Sequence, residues 1–193
     1  MKVIGITGGV GCGKSEVLVW LQSEYGAIVT QLDEVAKNLQ KSGQECFDQI
    51  VALFGTEILQ EDGELNRAGL AEAVFRDPEK LSGLNAIVHP KVKEWVQNDI
   101  AKKREGQIGL YVIEAALLPT AGYEEICDET WYIYADETVR RNRLKAARGY
   151  TEEKISQMIA AQPTEQVFRQ YCKYVIDNSG SFENTKKQIG ELL

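Results

Sequence analysis

Residues 8–15, GGVGCGKS, carry the residue types that hold a phosphate chain. Gly8, Gly13, Lys14 and Ser15 fit G-x-x-x-x-G-K-[ST], the spacing of the phosphate-binding P-loop. A phosphate is bound where several backbone N–H groups converge, in conformations that a Cβ opposes. Gly8, Gly9, Gly11 and Gly13 permit such conformations. A helix beginning after Lys14 would turn its positive dipole end toward the anion. Lys14 would reach the β- and γ-phosphates, and the Ser15 hydroxyl would hold Mg²⁺. Gly9, Val10, Gly11, Cys12, Gly13, Lys14, Ser15 and Glu16 form the expected nucleotide-binding segment.

Other side chains stand where such a loop needs partners. Asp33 follows a short strand over 27–29 that ends near Gln31-Leu32-Asp33. Ligands sit just past the carboxyl ends of strands in open parallel sheets, so Asp33 is a site candidate. It equally suits the N-cap of a helix over 34–40. Glu114 closes an apolar strand over 108–113, at the position where P-loop proteins hold Mg²⁺ or its water. The alternative is a plain loop carboxylate. Arg140, Arg141, Arg143, Lys145 and Arg148 put five cations into nine residues, with few acids between 138 and 151. A solvated helix face is the bland reading. A phosphate-facing lid is favoured, because such a patch repels itself unless anions visit it. Cys12 stands at a helix N-terminus beside Lys14, a setting that activates a thiol unless it is buried.

These candidates need an α/β frame. A helix with Val17, Leu18, Leu21 and Tyr25 on one face follows the loop and stops at Gly26. Residues 34–105 read as helical, more than one crossover requires, and form an expected insertion beside the phosphate site. Within it Phe47, Ile50, Val51 and Phe54 share a face, Asp62-Gly63 turns the chain, and Asn66 caps a helix. Asp77-Pro78 starts a helix with Leu81, Leu84 and Val88 on one face. Pro90 is expected to open another, with Val92, Trp95, Val96 and Ile100 inward. Further strands fall at 130–134 and 174–176. Asp136 caps the Arg-rich helix, Thr151 caps one with Ile155, Met158 and Ile159, Pro163 ends it, and Ser181 caps the last. The expectation is one domain over 1–193: a three-layer, five-stranded parallel sheet, the helical insertion 34–105, and a helical lid over 137–162.

The bulk numbers narrow the function. A net charge of −7 argues against broad nucleic-acid binding. No apolar run reaches the length of a membrane span, and the run after Lys2 is a strand rather than a leader. Four scattered cysteines and one histidine argue against a zinc site and for a reducing cytoplasmic setting. The base-reading N-K-x-D of Ras-type GTPases is missing from the chain.

The short length, helical insert and Arg-rich segment resemble small-molecule kinases of the nucleoside monophosphate kinase type. Within that group the chain resembles the dephospho-CoA kinase family nearly end to end. IGITGGVGCGKS is similar to the family's I-G-L-T-G-G-I-G-S-G-K-S, and QLDEVAK to its D-A-D-x-I-A-R. FGTEILQEDGELNRAGLAEAVF and LNAIVHP, with Asn66, Arg67, His89 and Pro90, resemble its helical CoA-side segment. IAAQ at 159–162 and VIDNSG at 175–180 resemble the lid end and last strand. Gln31 replaces the first acid of D-A-D, Cys12 replaces a serine, and ALLP at 116–119 stands for P-L-L-F. Ala116 and Thr120 occupy positions where the family usually has Pro and Glu, and Arg148 matches the lid arginine with a one-residue slip.

The resemblance implies transfer of the γ-phosphoryl group of ATP to the ribose 3′-hydroxyl of dephospho-CoA, with Mg²⁺. Asp33 would accept or orient the hydroxyl proton. Lys14, with Arg140, Arg143 or Arg148, would stabilise the transferred group. Ser15 would hold the metal, helped by Glu114. Arg67 and His89 would serve the acceptor, although residue chemistry alone makes His89 a buried histidine tying two helix ends. Small-molecule substrates, no nucleic acid, no membrane and a monomer or weak homo-oligomer complete the expectation.

Overall fold

A computed structural model describes residues 1–116, 118, 122–123 and 125–193. The chain forms two compact units: Met1–Thr30 with Gly106–Leu193, and Gln31–Glu105. Thr120 lies outside the described residues, as do positions 117 and 119 of ALLP.

The first unit is built on five strands: β1 Lys2–Thr7, β2 Ile28–Gln31, β3 Leu110–Glu114, β4 Glu129–Tyr134 and β5 Tyr174–Asp177. They lie in the order β2-β3-β1-β4-β5, in a parallel sheet with helices on both sides. β1 is central. Ile4 pairs with Val112 of β3 and with Glu129 of β4. Strands covered on both faces become continuously apolar, and Val3, Ile4, Ile6, Tyr111, Val112 and Ile113 are accordingly buried. The period of two divides β4 between two cores. Trp131 and Ile133 pack with Ile4, Ile6, Val112, Ile176, Val17, Leu18, Leu21 and Ile189. Tyr132 packs on the other side with Phe168 and Cys172, its ring stacked on Phe168 at 4.8 Å. Each buried Val or Ile contributes about 1.5–3 kcal/mol.

The helices of this unit are α1 Lys14–Tyr25, α6 Glu137–Arg148, α7 Glu152–Ala160, α8 Glu165–Tyr171 and α9 Phe182–Gly190. Val17, Leu18 and Leu21 of α1 are buried as expected, whereas Tyr25 is partly exposed at the helix end. α8 was not expected. Its seven residues begin two positions after Pro163 and bury only Phe168, too short a pattern for a period to emerge.

The second unit holds α2 Leu32–Leu39, α3 Glu45–Phe54, a 3₁₀ turn Thr56–Ile58, α4 Arg67–Arg76 and α5 Pro78–Arg104. α2, α3 and α4 each pack on α5. Asp77 caps α5, its carboxylate accepting from the Glu79 and Lys80 amides at 3.0 and 3.2 Å. Pro90 does not open a new helix: α5 runs 27 residues straight through it. Proline removes one backbone bond there, but Val88, Val92, Val96 and Ile100 form one buried stripe across it. Packing of that stripe outweighs the local penalty of about 3 kcal/mol. The expected inward positions of Leu81 and Trp95 are exposed instead, at 43% and 40%. Among the described residues no helix is long and apolar enough to cross a membrane.

Candidate active site

The loop between β1 and α1 takes the conformation its glycines allow. Gly11 and Gly13 have φ of 77° and 89°, closed to most side chains. A Cβ on Gly13 would strike the Asn178 carboxamide, and one on Gly9 would sit 2.5 Å from the Arg140 guanidinium. Lys14 Nζ donates to the Gly8 carbonyl at 2.7 Å and stands 3.8 Å from Glu114 Oε1. Both side chains are 15% exposed, so the pair is partly desolvated at the carboxyl end of the sheet. Ser15 is exposed in the first turn of α1. Cys12 is buried among Ile4, Ile6, Val17 and Leu18, so the reactive-thiol expectation gives way to a packing role.

The Arg-rich helix α6 is fastened to this loop. Arg140 Nε donates to the Val10 carbonyl at 2.8 Å, and its Nη2 to Gln162 Oε1 at 3.1 Å. The Val10 amide donates to the same Gln162 oxygen at 2.9 Å. Arg143 donates to the Cys12 carbonyl at 3.3 Å and the Asn178 carbonyl at 2.9 Å. Asn178 Nδ2 donates to the Cys12 carbonyl at 2.8 Å, while Thr185 donates to Asn178 Oδ1 at 2.7 Å. Arg141 pairs with Glu137 and Glu152, and Lys145 with Glu152. The self-repelling patch inferred from the sequence is therefore relieved by carboxylates on the flanks of the window. Arg148 is exposed at the end of α6; its hydrogen bond to Tyr150, followed by the charge of Lys154, holds that phenol below its ordinary value. Nothing in the sequence marks Gln162 and Asn178 as site residues, because an uncharged amide gives a sequence no electrostatic signal.

In the second unit Asp33 lies exposed in the first turn of α2. The N-cap is Gln31, which makes no side-chain cap bond, so the capping alternative for Asp33 does not hold. Arg67 opens α4 behind the Asn66 cap, whose Oδ1 accepts from the Gly69 amide at 3.0 Å. Arg67 donates to the Lys37 carbonyl at 2.9 Å and to Gln40 Oε1 at 3.2 Å. It borders a pocket of about 410 Å³ lined also by Lys41, Gln60, Glu64 and Asn66. His89 is exposed on α5, and therefore is not the buried link between helices that its chemistry alone suggested.

A parallel sheet with a P-loop after its central strand, and a lysine–acid pair at its carboxyl end, defines a P-loop nucleotide-binding protein. The dephospho-CoA kinase family model matches residues 2–184. The chain belongs to the dephospho-CoA kinase family. A dephospho-CoA kinase from Carboxydothermus hydrogenoformans is 35% identical, over 100% of this chain and 93% of the relative. One from Thermobifida fusca is 36% identical, over 100% of this chain and 94% of the relative. A crystal structure from Thermus thermophilus has a TM-score of 0.83 at 31% identity, covering 99% of this chain and 95% of that one. A dephospho-CoA kinase from Campylobacter jejuni, 20% identical, shares the fold with a TM-score of 0.72 over 100% and 98% of the two chains.

Proposed function

We propose that this chain transfers the γ-phosphoryl group of ATP to the ribose 3′-hydroxyl of dephospho-CoA, giving coenzyme A and ADP, the last step of coenzyme A synthesis. The observation that carries the reading is a family match over residues 2–184 joined to a P-loop with Lys14 and Glu114 at 3.8 Å.

The loop amides and Lys14 bind the phosphates, and Lys14 with Arg140 offsets charge building on the transferred group. Arg148, at the exposed end of α6, and Arg143 add to the positive field. The Ser15 hydroxyl and Glu114 carboxylate are hard oxygen donors of the kind Mg²⁺ takes, and the ion, when bound, neutralises part of the triphosphate charge. Asp33 orients the acceptor hydroxyl. In a loose transition state the nucleophile needs little deprotonation, so this positioning is its larger contribution. The helical unit, with Arg67 and His89, serves the acceptor. The Lys41 and Arg67 side chains at its pocket suit an anionic group such as a diphosphate.

The same reading puts the reaction in the cytoplasm, with the chain acting as a monomer or weak homo-oligomer. Cys12, Cys46, Cys127 and Cys172 stand in no disulfide, in keeping with a reducing compartment. The test is ADP release from ATP·Mg²⁺ with and without dephospho-CoA. Strong stimulation supports the reading; ATP binding without stimulation by dephospho-CoA contradicts it.

A further inference from the structure

We propose that Gln162 is a positioning residue for ATP: one carboxamide oxygen fixes both Val10 of the phosphate loop and Arg140, and so shapes the loop before the nucleotide arrives. Gln162 Oε1 accepts from the Val10 amide at 2.9 Å and from Arg140 Nη2 at 3.1 Å. Arg140 Nε closes the ring by donating to the Val10 carbonyl at 2.8 Å. Both backbone polar groups of Val10 are thus engaged by side chains far away in sequence. The neighbouring Gly9 has its Cβ space filled by the same guanidinium. A glycine-rich loop otherwise loses much conformational entropy on binding. Fixing Gly9 and Val10 beforehand removes part of that cost, as preorganisation does elsewhere.

Gln162 also carries a link between elements. It lies just past α7, whose other end is tied to α6 through Arg141 and Lys145 to Glu152, and through Arg141 to Ser156 at 3.0 Å. Those ties are exposed and weakened by salt. The Gln162 contacts are half-buried and depend on acceptor geometry rather than charge. Two donors converging on one oxygen make the oxygen, not the bulk of the side chain, the functional part. No acceptor among the described residues takes Arg140 Nη1, which leaves it available to a phosphate oxygen.

The inference rests on the P-loop binding ATP, and not on which alcohol accepts the phosphoryl group. Its test therefore uses ATP·Mg²⁺ alone, read by calorimetry, with hydrogen exchange of the loop peptide in the nucleotide-free protein. Gln162→Met keeps the length and removes the acceptor. It is expected to weaken ATP about tenfold, to raise KM for ATP more than it lowers kcat, and to speed exchange across residues 8–13, while the melting temperature holds. Gln162→Glu keeps the acceptor and is expected to retain the slow loop exchange. Wild-type ATP affinity in a folded Gln162→Met protein overturns the proposal. So does equal loss of loop protection and of melting temperature in both variants, which would make Gln162 a general structural residue. A wild-type protein that binds ATP but ignores dephospho-CoA would overturn the acceptor assignment and leave this test intact.

Discussion

Lys14 Nζ stands 3.8 Å from Glu114 Oε1 while donating to the Gly8 carbonyl at 2.7 Å. The loop lysine is thus held between its own loop and the acid that ends β3. The ammonium has three N–H donors, so phosphate oxygens can join the Gly8 carbonyl on Lys14. Glu114→Gln keeps the shape and removes the charge. It is expected to raise the Mg²⁺ concentration for half-maximal activity about tenfold or more, with melting nearly unchanged. A titration of activity against Mg²⁺ at saturating ATP checks this; an unshifted curve removes Glu114 from the metal's surroundings.

Asp33 sits exposed in the first turn of α2 and caps nothing. Its replacement should therefore cost chemistry rather than folding. Asp33→Asn is expected to lower kcat about 10²–10⁴-fold, with ATP affinity and melting temperature close to wild type. Turnover and calorimetry on the same preparation decide it. Wild-type kcat would take Asp33 out of the mechanism.

Asn178 is 1% exposed and satisfies two groups at once, the Cys12 carbonyl at 2.8 Å and the Thr185 hydroxyl at 2.7 Å. Asn178→Ala leaves the Cys12 carbonyl with the longer Arg143 bond at 3.3 Å and the Thr185 hydroxyl with the longer Asp177 bond at 3.4 Å. The expected loss is about 2 kcal/mol of stability. Thermal melting reads it, at about 2–4 °C per kcal/mol for a chain of this size. ATP affinity should fall as well, since the Cys12 carbonyl of the phosphate loop loses its Asn178 donor. An unchanged melting temperature contradicts this reading of the network.

Much of this architecture was legible in the sequence, and the failures share a cause. Glycine spacing around Lys14 announced the loop, and apolar runs announced the strands, because backbone chemistry there is local. Pro90 misled because proline is a local start signal, while the buried stripe of Val88, Val92, Val96 and Ile100 is a tertiary fact. The cations of α6 look unpaired in the sequence because Glu137 and Glu152, which hold Arg141, lie just outside residues 138–151. Gln162 and Asn178 could not be singled out by charge, since their role lies in where an amide points after folding.

Glu129 gives the fold an acid-side limit. Burial raises its pKa, but hydrogen bonds from Lys2, Lys173 and Trp131 overcome this and hold the carboxyl below its ordinary 4.5. A carboxylate depressed in the folded state adds stability that is fully present above its unfolded value and is lost as pH falls through the folded one. The stability read by urea unfolding should therefore fall as pH drops below 4.5, and Glu129→Gln should reduce that slope. A variant with the wild-type slope would show that the titration lies elsewhere.

The most direct test of the central claim is the identity of the phosphorylated product. Purified protein is incubated with ATP·Mg²⁺ and dephospho-CoA, and the acceptor is recovered for mass and phosphorus-resonance analysis. The account predicts a product one phosphoryl group heavier, bearing that group on the ribose 3′-oxygen, with ADP formed in equal amount. ADP formed without modification of the acceptor, or a phosphoryl group at any other position, would contradict it.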